Sequence, residues 1–109
     1  MKKINETSLI YYLGKSPEIK VLDFLIENKR DSWNITEIEK QGVIARSTLK
    51  LVIPKLLKLN LIQVERKIGN STLYKINLNN KVIIELIKFS SLIDKTEQIK
   101  KEEGIQDGN

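Results

Sequence analysis

The sequence predicts an α+β domain, mostly α with a small β-hairpin. Three observations carry that expectation. Apolar residues recur at helical spacing in four separate stretches. Two short alternating runs flank Ile68-Gly69-Asn70-Ser71, a hairpin-turn sequence. Positive charge is also gathered in one place: residues 45–75 hold seven basic side chains against Glu65 alone, a net of +6 in a chain whose total is +5. A helix and a hairpin carrying the whole positive excess are the footprint of a surface that meets a polyanion.

Residues 1–15 read as an apolar arm. Leu9, Ile10, Tyr11, Tyr12 and Leu13 are too apolar for a free tail. They form a short helix or an extended arm that either caps the chain's own core or packs on a second subunit. Ser16-Pro17-Glu18 then opens a helix over 17–28: Ser supplies a cap, Pro tolerates the first helical position, and Glu suits the positive end of the dipole. Val21, Leu22, Leu25 and Ile26 face inward, Phe24 sits at the border, and Lys20, Asp23 and Glu27 are expected outward. After a charged turn, Trp33 and Ile35 alternate with Asn34 in a very short strand.

Thr36 is expected to cap the second helix, which has Glu37 and Glu39 near its start, Ile38 inward and Gly42 as its stop. The third helix starts at Ala45 or Arg46. Leu49, Ile53, Leu56 and Leu57 form its inner stripe beside Val52, and Arg46, Ser47, Lys50, Pro54 and Lys58 lie on or near its outer side. A short helix, a glycine turn and a helix with a basic outer face make a helix-turn-helix pattern. Pro54 removes the bond to the carbonyl of Lys50, so the helix bends there, or it ends near Ile53 and restarts.

Asn60 suits a left-handed helix end. Leu61, Ile62 and Val64 then enter a strand, and the return strand sets Ile76 and Leu78 opposite Lys75 and Asn77. A two-stranded ribbon must lean on the helices, with its tip projecting. The last helix, 81–101, carries Val82, Leu86, Phe89 and Ile93 in one stripe and Ile83, Ile87 and Ser90 in a second, widened by Ile84 and Leu92. A helix this apolar around its circumference needs two buried sides, one against its own domain and one against the same helix of a second chain. Tyr11, Tyr12, Val82, Leu86, Phe89 and Ile93 are therefore the expected dimer interface. Residues 102–109 read as a disordered tail. The expected division is an arm at 1–15, a binding domain at 16–80, a dimerisation helix at 81–101 and the tail.

The chain has neither Cys nor His. That removes disulfides, thiolate chemistry, Cys/His zinc sites and imidazole catalysis. No phosphate-cradling glycine loop, nucleophile–base pair or metal-ligand cluster stands out, so no enzyme, metal or cofactor is expected. No apolar run follows Lys2 and Lys3 as a leader would have it, and none approaches the ~20 residues of a membrane span. The expectation is a cytoplasmic protein without membrane contact. The Asn-x-Thr triplets at Asn5, Asn34 and Asn70 read as chance in an Asn-rich chain.

The segment ITEIEKQGVIARSTLKLVIPKLLKLNLIQVERKIGNSTLYKINL carries a family likeness. A short capped helix is followed by a glycine turn, Ser-Thr-Leu opening a helix, Leu-x-x-Leu-x-Leu-Ile, and a Gly-tipped hairpin ending in Leu-Tyr-Lys-Ile. This resembles winged helix-turn-helix DNA-binding proteins of the MarR/ArsR-like type, a class made up mostly of archaeal and bacterial transcriptional regulators. The resemblance implies a recognition helix at 46–59 in the major groove, a wing at 66–72 on the backbone or minor groove, and a C-terminal dimerisation helix. On that resemblance the DNA-contacting residues are Thr36, Arg46, Ser47, Thr48, Lys50, Lys55, Arg66, Lys67, Asn70, Ser71 and Thr72. Arg46 is the first choice for reading guanine and Lys50 and Lys55 for holding phosphate. The chain departs from the family's pattern at Ala45, where a capping Ser, Thr or Asn is usual, and at the Gly69-Asn70-Ser71 tip, where many relatives carry Arg. The implied function is a dimeric, sequence-specific regulator on a pseudo-palindromic double-stranded DNA site. The alternatives are a plasmid or viral segregation, replication-control or architectural DNA-binding protein, and a winged-helix protein-interaction module. A small-molecule effector, the target sequence and the sign of regulation are left open.

Overall fold

A computed structural model describes residues 8–102 of the chain, with side chains from Leu9 to Thr96. The beginning of the arm and the expected tail past Glu102 lie outside the described residues. The described part is an α+β fold in the order α1 (Ser8–Leu13), α2 (Pro17–Glu27), α3 (Ile35–Lys40), α4 (Arg46–Lys58), β1 (Ile62–Ile68), β2 (Ser71–Ile76) and α5 (Lys81–Glu102). No described helix is long and apolar enough to cross a membrane.

One core holds these elements together, and each contributes to it. Leu9 comes from α1, Val21 and Leu25 from α2, Ile38 from α3, Leu49 and Leu56 from α4, Ile62 and Ile76 from the two strands, and Ile83 from α5. Each such side chain contributes about 1.5–3 kcal/mol when fully withdrawn from water. With Leu9 only 2% exposed, the arm is a short helix seated on its own chain, packed against α2 and α5.

The helix ends follow local chemistry. Ser16 caps α2, its hydroxyl accepting from the Ile19 amide at 3.2 Å. At α3 the expected cap is corrected: Asn34, not Thr36, is the N-cap. The Asn34 carboxamide accepts from the Glu37 amide at 2.8 Å, and the Glu37 carboxylate accepts from the Asn34 amide at 2.9 Å, which is a reciprocal capping box. Thr36 lies inside the first turn. A second correction concerns Asp23, expected outward but 5% exposed. That burial is one that the periodicity of α2 alone does not reveal.

Helix α4 runs unbroken through Pro54. Pro54 and Lys50 are both exposed, so the carbonyl that loses its amide donor faces water rather than the core. Asn60 follows with φ +60°. Its carbonyl accepts from the side chains of Asn77 at 2.9 Å and Asn80 at 3.0 Å. Asn80 in turn caps α5 through the amides of Val82 and Ile83, so the asparagines tie the end of α4 to the beginning of α5.

The strands pair antiparallel from Ile62↔Ile76 to Ile68↔Ser71, closed by the two-residue loop Gly69-Asn70. Positive φ at Gly69 and not at Asn70 is the pattern of a type II′ turn. Glu65 is an extra residue between the Val64↔Tyr74 and Arg66↔Leu73 pairs, a bulge that breaks the alternation of β1. On β2 Leu73 and Ile76, three apart, are both buried, whereas Val64 and Ile68 of β1 are exposed. Leu78, expected on the face it shares with Ile76 in the return strand, lies past the end of β2 and is exposed. The short strand at Trp33 forms as a single bridge, with paired amide–carbonyl bonds of 2.8 Å to Tyr74 in both directions.

Candidate functional site

Two sequence-distant segments meet at one end of the molecule. The starts of α3 and α4 and the hairpin tip enclose a groove of about 170 Å³ lined by Asn34, Ile35, Thr36, Arg46, Asn70, Ser71, Thr72 and Tyr74. Five expected site residues are brought together here: Thr36, Arg46, Asn70, Ser71 and Thr72. The wall is hydroxyl- and amide-rich, with one cation. Asn34 reaches across it, its amide 3.5 Å from the Ser71 hydroxyl.

Arg46 does not project freely. Its guanidinium donates to the Thr36 hydroxyl at 3.0 Å and lies 3.4 Å from the Glu39 carboxylate. It therefore ties α4 to α3 across the glycine turn. The start of α4 carries no side-chain cap, since Ala45 has no acceptor to offer.

Around α4, at 100° per residue, the inner side is Leu49, Val52, Ile53 and Leu56. The opposite stripe is Ser47, Lys50, Leu51, Pro54 and Lys58, all exposed. Among the described residues neither Lys50 nor Lys58 forms an ion pair. Thr48 is half-buried at the edge. Lys55 departs from expectation: its ammonium grips Glu18 at the start of α2 and holds that carboxyl below the usual carboxylate range. It serves the α2–α4 packing and leaves the outward stripe.

The hairpin residues divide. Lys67 is exposed, opposite Thr72 in the ladder. Arg66 does not join the Arg46 groove. It lines a separate depression of about 380 Å³ with Arg30, Asp31, Ser32, Trp33, Glu37, Glu65 and Lys75. Cations and carboxylates balance in that depression, so it offers an anion little net attraction.

At the far side, α1 lies on α5. The Tyr12 and Phe89 rings meet edge-to-face with centroids 6.2 Å apart, and Tyr11 stacks edgewise on Tyr12 at 5.4 Å. Tyr11, Tyr12, Val82, Phe89 and Leu92 are left exposed. Ile93 is 7% exposed and Leu86 packs against the core, so these two expected interface residues belong to the chain's own packing. Nearby, partial burial and the carboxylates of Asp23 and Asp94 push the Glu27 carboxyl above its ordinary value. No group of His, Cys, Asp and Glu among the described residues is arranged to hold a metal ion.

Sequence reasoning missed Leu51 on the outward stripe and the partners of Arg46 and Lys55. The helical wheel of α4 carried the signal for Leu51. Nothing local to Arg46 or Lys55 marked Glu39 or Glu18 as a partner. No protein-family model, curated protein or solved structure matches the chain.

Proposed function

We propose that this protein is a dimeric, sequence-specific double-stranded DNA-binding regulator of winged helix-turn-helix type. The observation that carries the reading is the outward stripe of α4, with exposed Ser47, Lys50 and Lys58, standing beside the hydroxyl-rich groove at the hairpin tip. In this reading α4 enters the major groove, whose ~12 Å width admits a helix. Ser47 meets base edges, Lys50 and Lys58 reach phosphates on either side, and the tip residues Lys67, Asn70, Ser71 and Thr72 contact the adjoining backbone. Arg46, held by Thr36 and Glu39, fixes the angle between α3 and α4 and contacts phosphate rather than guanine.

The exposed aromatic face of α1 and α5 supports the dimer. Tyr11, Tyr12, Phe89, Val82 and Leu92 form an apolar surface that a second copy covers about a two-fold axis. Two helices related in this way fit half-sites about 34 Å apart.

Selection from random duplex DNA at two salt concentrations tests the reading. The expected result is a palindromic motif, bound with an affinity that falls steeply with salt. Lys50→Ala should weaken all sequences alike and lower the salt slope by about 0.9 for each phosphate that the variant no longer neutralises. Tight binding without a motif favours a segregation or architectural role. No binding at low salt overturns the proposal in favour of a protein-interaction module.

A further inference from the structure

Leu51 is 76% exposed, the highest value among the exposed large hydrophobic residues described. A lone surface leucine ordinarily needs no explanation. This one belongs to the outward stripe of α4, one turn from Ser47 and Pro54, with Lys58 two turns on and Lys50 at the stripe's other edge. The neighbouring cations that do have partners, Arg46 and Lys55, are drawn off the stripe toward Glu39 and Glu18. What remains on the stripe is an isobutyl group and two ammonium groups, Lys50 and Lys58, that form no ion pair among the described residues.

We propose that Leu51 reads a thymine in the major groove through the thymine C5-methyl group. The inference rests on the DNA-binding reading above and assigns a specificity-determining residue within it. With Lys50 and Lys58 drawn to phosphates, Leu51, on the same outward side as Ser47, meets base edges. The thymine methyl is the apolar group those edges display. Ser47, one turn toward the helix start, meets the neighbouring base. A protein partner fits this stripe poorly: one leucine and one proline between lysines fall far short of the ~800 Å² per side of a stable protein interface.

The test uses the full-length protein and the duplex that selection yields. Each thymidine of a half-site is replaced singly by deoxyuridine, which removes only the methyl. The wild-type protein should lose about 4-fold in affinity at one position per half-site, the value of one buried methyl group. Leu51→Ala should bind the thymidine duplex correspondingly less well and be indifferent to deoxyuridine at that position. Because Leu51 is exposed, the circular dichroism melt of the variant should match that of the wild type. Indifference of the wild type to every replacement, equal deoxyuridine sensitivity of the variant, or binding without any motif each overturns the Leu51 assignment while leaving DNA binding intact. Failure of the wild type to bind any duplex at low salt removes the DNA-binding reading and the assignment with it.

Discussion

Arg46 shows what a side chain's own position does and does not reveal. Its place at the head of α4 follows from helical spacing, and the structure puts it in the groove with Thr36 and the hairpin tip. Its partner Glu39 could not be read, because the approach of α3 to α4 depends on the left-handed turn at Gly42 rather than on a pattern around Arg46. The pair is exposed, so Arg46→Ala should cost no more than about 1 kcal/mol in a urea titration. On DNA it should weaken all duplexes alike, and loss of discrimination at a single base position would contradict the role assigned here. Leu51 is the converse case: its outward position is readable from the wheel, yet a leucine in a helix is taken for core by default. Glu27 makes a pH prediction. Its folded-state carboxyl is raised, so between the ordinary value and the raised one the folded state binds more proton than the unfolded chain. The penalty for ionising it is present above the folded value and relieved as pH falls through that value toward the ordinary carboxylate range. Glu27→Gln should therefore raise the melting temperature at neutral pH, by a stability increment within about 0.5 kcal/mol, and the gain should shrink in mild acid.

Element boundaries are largely written in the local chemistry. Ser16-Pro17 at the head of α2, Asn60 at the end of α4 and the Gly69-Asn70 loop all act as their residue types lead one to expect. The cap of α3 is ambiguous by residue type, because Asn34 and Thr36 are both good caps. Glu37, three residues after Asn34, is the deciding mark. Asn34→Ala should destabilise the fold by about 1 kcal/mol in thermal melts, whereas Thr36→Ala should cost less. The bulge at Glu65 has no sequence signature, since one inserted residue leaves no trace in an alternation only a few residues long. Pro54 offers an element-scale test. An alanine there restores the amide that the Lys50 carbonyl lacks, at the expense of some unfolded-state rigidity. The net should be a gain of about 1–2 kcal/mol, read as a higher urea midpoint at unchanged slope.

At the scale of the whole molecule, the apolar excess of α5 leads one to expect two buried sides, but the stripe expected to face a partner divides between the core and the surface. Ile93 and Leu86 pack inward while Val82 and Phe89 stay at the surface, because α1 covers part of α5 in a way that the pattern of α5 alone does not encode. Ile83 is the pin that joins α5 to the body, and Ile83→Ala should cost about 2–5 kcal/mol. Phe89→Glu, at the exposed rim, should leave the fold standing and convert the protein to a monomer in sedimentation runs. It should also abolish the preference for two half-sites over one. A monomeric wild type at micromolar concentration would defeat the dimer.

The bridge between Trp33 and Tyr74 also makes the protein its own optical sensor. Trp33 is the single tryptophan of the chain, its ring edge-on to Phe24 and its indole N–H buried without a hydrogen-bond partner among the described residues. Indole emission shifts with the polarity and hydrogen bonding around that nitrogen. Tyr74, bonded to the Trp33 backbone on both sides, also lines the groove at the hairpin tip. A ligand seated in that groove pushes on the strand that holds the fluorophore. Intrinsic emission should therefore follow groove occupancy with no attached label, and the same signal, quenched by water on denaturation, should report when the longest-range backbone pairing among the described residues comes apart.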